Sequence, residues 1–333
     1  MIIIENYVVA VLMCFITMLC WGSWANTQKL ATKTWRFQLF YWDYGYGVLL
    51  CAVIFALTLG SLGSSGRDFI TDLDQANTQS IGWALLGGGI FNLSNILLVG
   101  AVDIAGLAVA FPLAIGIALV IATITNYVAV PTGDPYFLFI GIACVIIALV
   151  ADALAYKKLS SEGQKTPILG FVLSILAGIT MGFFYRFVAA SMSADFINLE
   201  VGKVGPYTAV VIFSVGLVLS NFFFNTILMI KPFVGEPVAF SDYFRKGTPK
   251  LHLIGLFGGF VWCIGMVFSI LSAGPAGYPI SYGLGAQGGT MVAALWGLLI
   301  WKEFKNAPKG TNLLLSIMFF FYISGLVLVI MAR

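Results

Sequence analysis

The chain of 333 residues is 60% hydrophobic and only 9% charged, with a formal net charge of +3. That balance lies far outside the range of soluble domains and makes lipid its solvent. Its few basic residues form no cluster with interleaved aromatics, which excludes nucleic acid as a partner and leaves the lipid bilayer as the obligatory one.

Backbone groups in a bilayer are satisfied only within helices or closed barrels, and the apolar runs here are continuous rather than alternating, so the segments are helices. Crossing about 30 Å of hydrocarbon takes roughly 20 residues. Ten segments qualify: 7–30, 37–60, 81–101, 104–130, 136–156, 167–190, 205–230, 251–273, 277–301 and 311–331. The first lacks a basic leader and a small-x-small cleavage site and runs on through Trp21 and Trp24, so it reads as a retained helix rather than a signal peptide. The second carries Asp43 about six residues in, and the third carries Gly87-Gly88-Gly89, Asn92 and Asn95. Pro112 and Gly116 mark the fourth, and Asp152 stands near the end of the fifth. The sixth holds Arg186 near its end, and the eighth holds Gly258-Gly259 and Trp262. The ninth is dense in glycine around Tyr282 and Gln287, and Pro275 and Pro279 flank its start. The narrow gaps between the third and fourth and between the eighth and ninth segments are the weak points of the count. The longer connections, 61–80 and 231–250, are too short for a soluble domain.

Connections after odd-numbered helices carry Lys29, Lys33, Arg36, Lys157, Lys158, Lys165, Lys231, Arg245, Lys246, Lys250, Lys302, Lys305 and Lys309, whereas the other side carries Arg67, Lys203 and Arg333. The positive-inside rule then places both termini on the non-cytoplasmic side of the cell (inner) membrane. The five cysteines lie in apolar runs and read as small buried hydrophobes, and the single histidine, His252, reads as an interfacial residue.

Two short matches link the halves: Gly88-Gly89-Ile90-Phe91 with Gly258-Gly259-Phe260-Val261, and Ile16-Thr17-Met18 with Ile179-Thr180-Met181. They predict an all-α integral membrane fold of ten transmembrane helices arranged as a 5+5 inverted repeat, residues 1–160 and 161–333, with a solute site near the midplane. This layout resembles the drug/metabolite transporter superfamily. Within it, Trp21-Gly22-Ser23-Trp24, Phe111-Pro112-Leu113-Ala114-Ile115-Gly116 and Ser281-Tyr282-Gly283-Leu284-Gly285 resemble the branch of glucose/ribose porters, rhamnose–proton symporters and plant ureide permeases. The resemblance implies uptake of small polar solutes, often coupled to protons. The connection between the fifth and sixth helices holds no GxxxxGK[ST] run, a departure from the plant ureide permeases.

Counting 1.5 Å per residue along each span, Trp21, Asn92, Trp262, Tyr282 and Gln287 come out near mid-depth, with Asn95 slightly toward the cytoplasm. A mid-depth aromatic either packs between helices or stacks on a ring of the solute, and a buried amide either bonds a neighbouring helix or pairs with the solute. These six are the candidate substrate-binding residues. The proline and glycine positions of the third, fourth, eighth and ninth helices read as interruptions that free backbone for close packing or for a cavity. Asp43 is the candidate coupling carboxylate for a proton, the alternative being pairing with Lys29, Lys33 or Arg36. Arg186 either gates the outer mouth or reaches the outer headgroups, and the estimated depths rule out an Asp43–Arg186 pair. Asp103, Asp152 and Glu303 sit at span ends and read as solvated. No HExxH or GxSxG and no second histidine occurs, so neither an enzyme, a metal nor a cofactor is expected. The expected function is a secondary active transporter working by alternating access on a small polar neutral solute, a sugar by first choice, with proton-coupled uptake. The alternatives are a nucleobase or ureide-type heterocycle permease, or a drug/metabolite exporter.

Overall fold

Each apolar run forms a helix, because intra-segment hydrogen bonds are the only ones lipid permits. The computed structural model describes residues 1–31, 35–159 and 168–333, so Lys33 and Lys165 lie outside the described residues. The long helices are α1 (Tyr7–Ala31), α2 (Phe37–Leu57), α3 (Thr78–Ala105), α4 (Leu107–Ala129), α5 (Pro135–Leu159), α6 (Ile168–Ser191), α7 (Pro206–Ile230), α8 (Pro249–Ala276), α9 (Tyr278–Leu295) and α10 (Thr311–Met331). All ten are long and apolar enough to cross a membrane, and large side chains such as Leu12, Leu19, Phe222, Phe223 and Phe320 point outward, where lipid would meet them. Short helices at Phe69–Asp74 and Ser241–Arg245 occupy the two longer connections.

The narrow gaps are real joints of one residue each. Gly106, φ +79°, separates α3 from α4, and Gly277, φ +82°, separates α8 from α9. A residue with a side chain is strained at such angles, so glycine sets both corners. The prolines do not break the helices as expected: Pro112 lies inside α4, Pro275 in the last turn of α8 and Pro279 in the first turn of α9, where its missing N–H is harmless. The interruption falls instead at the two glycine corners.

The packing has a simple regularity. Exchanging α1–α5 in order for α6–α10 turns the α1–α8 contact into α6–α3, α1–α9 into α6–α4 and α2–α8 into α7–α3, all of which occur, while α2–α7, α4–α9 and α5–α10 map onto themselves. Side chains obey the same exchange. Gly88 lies against the Phe213 and Leu217 backbone and Gly259 against that of Tyr44 and Val48, Gly22 meets Val292 as Gly182 meets Ile121, and Gly141 and Gly325 face each other. These contacts correct both sequence matches. Gly88 corresponds to Gly259, one residue beyond Gly258. Met18, which packs on Gly288, corresponds to Gly178, which packs on Ile117, and not to Met181.

One hydrophobic core draws mainly on α2, α3, α6, α7 and α8, and a second mainly on α4, α5, α9 and α10, with α1 contributing to both. On the side of the 2–3 and 6–7 connections, Arg67 binds Asp72 at 2.9 Å and donates to the carbonyls of Leu199, Glu200 and Lys203, while Asp72 accepts from the Gly205 N–H at 2.7 Å. This closed network ties the two connections across the helix ends.

Candidate functional site

Between the two cores, α1, α3, α4, α6, α8 and α9 enclose a cavity of about 130 Å³. Its walls are rings: Trp21, Trp24, Phe91, Phe111, Phe184, Trp262 and Tyr282 all line it. Trp21 and Trp262 stack at 6.0 Å between ring centres, Phe91 lies 4.4 Å from Trp262, and Tyr282 meets Trp21 edge-on at 6.0 Å. Trp21 Nε1 donates to the Trp262 carbonyl at 3.2 Å, which fixes the ring, and the glycines of α8 and α9 make room for it. A Cβ on Gly265 would lie 2.6 Å from Trp21 Cδ1 and one on Gly289 3.2 Å from Trp21 Cβ. The glycine density of α9 is thus the seat of an aromatic wall. Counting from the anchors above, Trp24 corresponds to Phe184, Phe91 to Trp262 and Phe111 to Tyr282, so both halves contribute rings from equivalent places.

Polar groups are few. Asn95 Nδ2 donates to Tyr41 OH at 3.2 Å, while Asn95 Oδ1, the Tyr282 hydroxyl and Trp262 Nε1 have no protein partner among the described residues and are not fully buried. A flat molecule between these rings would therefore meet one acceptor, one donor and one hydroxyl that serves as either. Thr290, whose hydroxyl donates to the Gln287 carbonyl at 2.6 Å, adds a further acceptor on the cavity wall.

Four of the six expected binding residues, Trp21, Asn95, Trp262 and Tyr282, are brought together here. Asn92 and Gln287 are not. Asn92 is fully buried between α3 and α7, where its amide donates to Ser220 Oγ at 2.8 Å and to the Leu217 carbonyl at 3.4 Å. Gln287 turns back along α9 beside Gly283, and neither of its amide atoms has a protein partner among the described residues. Depth along a helix placed both correctly; the direction around the helix, which depth does not give, turned both away.

Asp43 borders no cavity described here. Its carboxylate accepts from the Tyr243 hydroxyl of the 7–8 connection and lies 3.0 Å from His252 Nδ1 of α8, against which Trp35 packs edge-on. Neither Lys29 nor Arg36 is its partner: Lys29 pairs with Glu303, and Arg36 donates to the Glu236 carbonyl. Burial and the adjacent carboxylate push the Tyr243 phenol above its ordinary range, so it stays a donor. His252 is therefore part of a cluster joining α2, α8 and the 7–8 connection, not a bland interfacial residue. Arg186 is half-buried near the end of α6 and makes no hydrogen bond or ion pair among the described residues.

A second cavity of about 170 Å³ adjoins the first, sharing Gly22, Ala25, Phe111, Thr290 and Ala293 with it. This vestibule lies beside the end of α1 and the 9–10 connection and carries the charge that the first cavity lacks. Lys29 Nζ lies 2.6 Å from Glu303 Oε1 and 4.2 Å from the centre of the Trp301 ring, and Tyr156 OH donates to Glu303 Oε2 at 2.7 Å. A π-helical turn, Trp296–Ile300, ends α9, and with Lys302 at φ +52° it aims Trp301 and Glu303 into the vestibule. Asp152, read from sequence as solvated, is only 9% exposed and lines this space beside them. Its spacing of four from Tyr156, which puts both on one helix face, was the available signal.

At the opposite end of the first cavity the way is closed. Tyr185 OH and Ser269 Oγ lie 3.0 Å apart, Ser281 Oγ donates to the Ser269 carbonyl at 2.5 Å, and the Tyr185 ring packs 4.7 Å from Tyr282. The corresponding residues at the vestibule end are Ala25, Leu98 and Ala110, none of which can form such a seal, and Ala25 and Leu98 line the cavity itself.

Comparison with known proteins gives a consistent result. A family model described as ureide permease matches residues 40–165 and 154–333. Ureide permease 1 of Arabidopsis thaliana is 26% identical over 388 residues, covering 98% of each chain, and ureide permease 2 of the same plant is 24% identical over 397 residues, covering 100% of this chain and 98% of its own. Both alignments are longer than this chain, so the relatives carry residues that it lacks. A crystal structure sharing 16% identity aligns with a TM-score of 0.53 over 98% of this chain and 99% of that one, which shows a common fold.

Proposed function

Since the chain belongs to the ureide permease family, we propose that this multi-pass membrane transporter carries a small planar heterocycle of the ureide or nucleobase type across the cell membrane. Homology makes it a transporter of small solutes and not an enzyme. The choice of solute rests on one observation, the aromatic cavity with its three free polar groups, Asn95 Oδ1, Tyr282 OH and Trp262 Nε1. A ureide presents flat faces for stacking and an alternation of N–H and C=O on its edges, which these groups match. A sugar, the first choice from sequence, would bring more hydroxyls than the cavity can pair, and each buried unpaired polar group costs about 1–3 kcal/mol. The family relationship points the same way.

In the proposed mechanism residues 1–160 and 161–333 are inverted repeats that rock about this cavity. The exchange symmetry of the packing supports that division, and five helices per half, an odd number, give the halves opposite orientation. The basic connections set the vestibule in the cytoplasm and both termini outside. The conformation described is then cytoplasm-facing, closed outside by Tyr185, Ser269 and Ser281, and uptake ends with release through the vestibule. A proton gradient drives accumulation.

A thermal-shift series on the purified protein tests the solute class, because a ligand that binds the folded state alone raises the unfolding temperature by mass action. Allantoin or uracil is expected to raise it in proportion to the logarithm of concentration, with glucose and rhamnose inert. Stabilisation by the sugars alone would overturn the reading.

A further inference from the structure

The vestibule contains a carboxyl group that no structural pairing explains. Asp152 makes no hydrogen bond among the described residues: Oδ1 is fully buried without a partner, and Oδ2 keeps exposure in a residue that lines the vestibule wall. Among the described residues, the charged and titratable groups around it are Tyr156 on its own helix, Lys29 from α1, Glu303 beyond α9 and Tyr322 from α10. Of these, the one cation is engaged, since Lys29 is held by Glu303, which also takes the Tyr156 hydroxyl. An ionised Asp152 would add a second carboxylate beside Glu303, with no further cation among the described residues that line the vestibule to balance it. A protonated Asp152 leaves the vestibule electrically matched and able to shed water, as any closure on the cytoplasmic side requires.

We propose that Asp152 is the group that carries the coupling proton and releases it into the cytoplasmic vestibule, an inference that rests on the proton-driven transport proposed above. The proton leaves the carboxyl oxygen for vestibule water, and the carboxylate so formed is protonated again for the next cycle by a proton taken up from the outer side. Position supports the role. The vestibule shares five wall residues with the solute cavity, so the proton site would adjoin the solute site. Asp43, the carboxylate that the sequence suggested for this task, borders neither cavity and is held by Tyr243 and His252, which suits a tie between α2, α8 and the 7–8 connection.

Two experiments decide the matter. In proteoliposomes with an inward proton gradient, wild-type protein is expected to accumulate radiolabelled allantoin. Asp152→Asn is expected to lose at least 90% of that accumulation, a figure of about tenfold set by complete uncoupling, while exchanging allantoin across the membrane at close to the wild-type rate. Full gradient-driven accumulation by Asp152→Asn overturns the proposal. Should that variant lose exchange as well, Asp152→Glu decides: accumulation with a displaced pH profile supports the role, and an unmoved profile overturns it. The second experiment needs no solute and no variant. Dicyclohexylcarbodiimide reacts with protonated carboxyl groups in apolar surroundings, and peptide mass spectrometry of the wild-type protein should find its adduct on Asp152, increasing from alkaline to neutral pH. No adduct there, or one independent of pH, overturns the inference. If wild type exchanges neither allantoin nor uracil, the solute assignment fails, and the labelling still decides for Asp152.

Discussion

Asn92 and Asn95 stand one helical turn apart on α3 and do different work. Asn95 leaves its oxygen free at the cavity wall, and Asn92 spends its amide on Ser220 and Leu217 of α7. Replacing each by Ala should separate the roles. Asn95→Ala is expected to weaken allantoin binding by about 1–3 kcal/mol, measured by calorimetry, because the solute N–H it pairs would be buried unpaired. Asn92→Ala should leave affinity unchanged and lower stability by about 1 kcal/mol, the usual worth of an interhelical bond in a membrane. Loss of affinity in Asn92→Ala with none in Asn95→Ala would reverse the assignment. Rise per residue is fixed, so position along each helix was legible in the sequence, and three of the rings that line the cavity, Trp21, Trp262 and Tyr282, were among the residues it singled out. It did not give azimuth, which depends on which helix packs on which face, so Asn92 and Gln287 were wrongly grouped with the cavity. Phe91, Phe111 and Phe184 were passed over for a related reason: phenylalanine in an apolar span carries no mark that separates a cavity wall from ordinary packing.

At the scale of elements, the ten spans were legible to within a few residues because lipid thickness and continuous apolar composition leave little freedom. What sequence misplaced was the break points. Proline and glycine within α3, α4, α8 and α9 suggested interrupted helices, but the helices run through them and turn only at Gly106 and Gly277. These two corners give a differential prediction. Both have the same extended backbone at positive φ, which essentially only glycine adopts, so alanine at either costs about 1–3 kcal/mol in strain. A Cβ at Gly106 meets nothing within 4 Å, whereas one at Gly277 would lie 2.5 Å from Thr132 Cγ2. Thermal unfolding in detergent should therefore show Gly277→Ala less stable than wild type by a clear margin over Gly106→Ala. Equal losses would mean that strain alone acts at both corners.

Across the whole molecule, the packing is unchanged by exchange of its halves, yet the two ends of the cavity differ. Tyr185, Ser269 and Ser281 form a polar seal at one end, where Ala25, Leu98 and Ala110 stand at the other, beside a charged vestibule. A symmetric frame with unequal gates is what alternating access needs if one state is to be favoured at rest. The regularity of the packing was visible in sequence only as two short matches, each slipped from the contacts it corresponds to, because packing preserves which backbones touch and not which residues do the touching. The central claim is that a flat heterocycle is carried between the aromatic walls of this cavity, and counterflow tests it most directly. Proteoliposomes preloaded with unlabelled allantoin should take up radiolabelled allantoin transiently above equilibrium, uracil should compete, glucose should not, and Tyr282→Phe should reduce the initial rate several-fold. Counterflow driven by glucose and indifferent to allantoin and uracil would contradict the account.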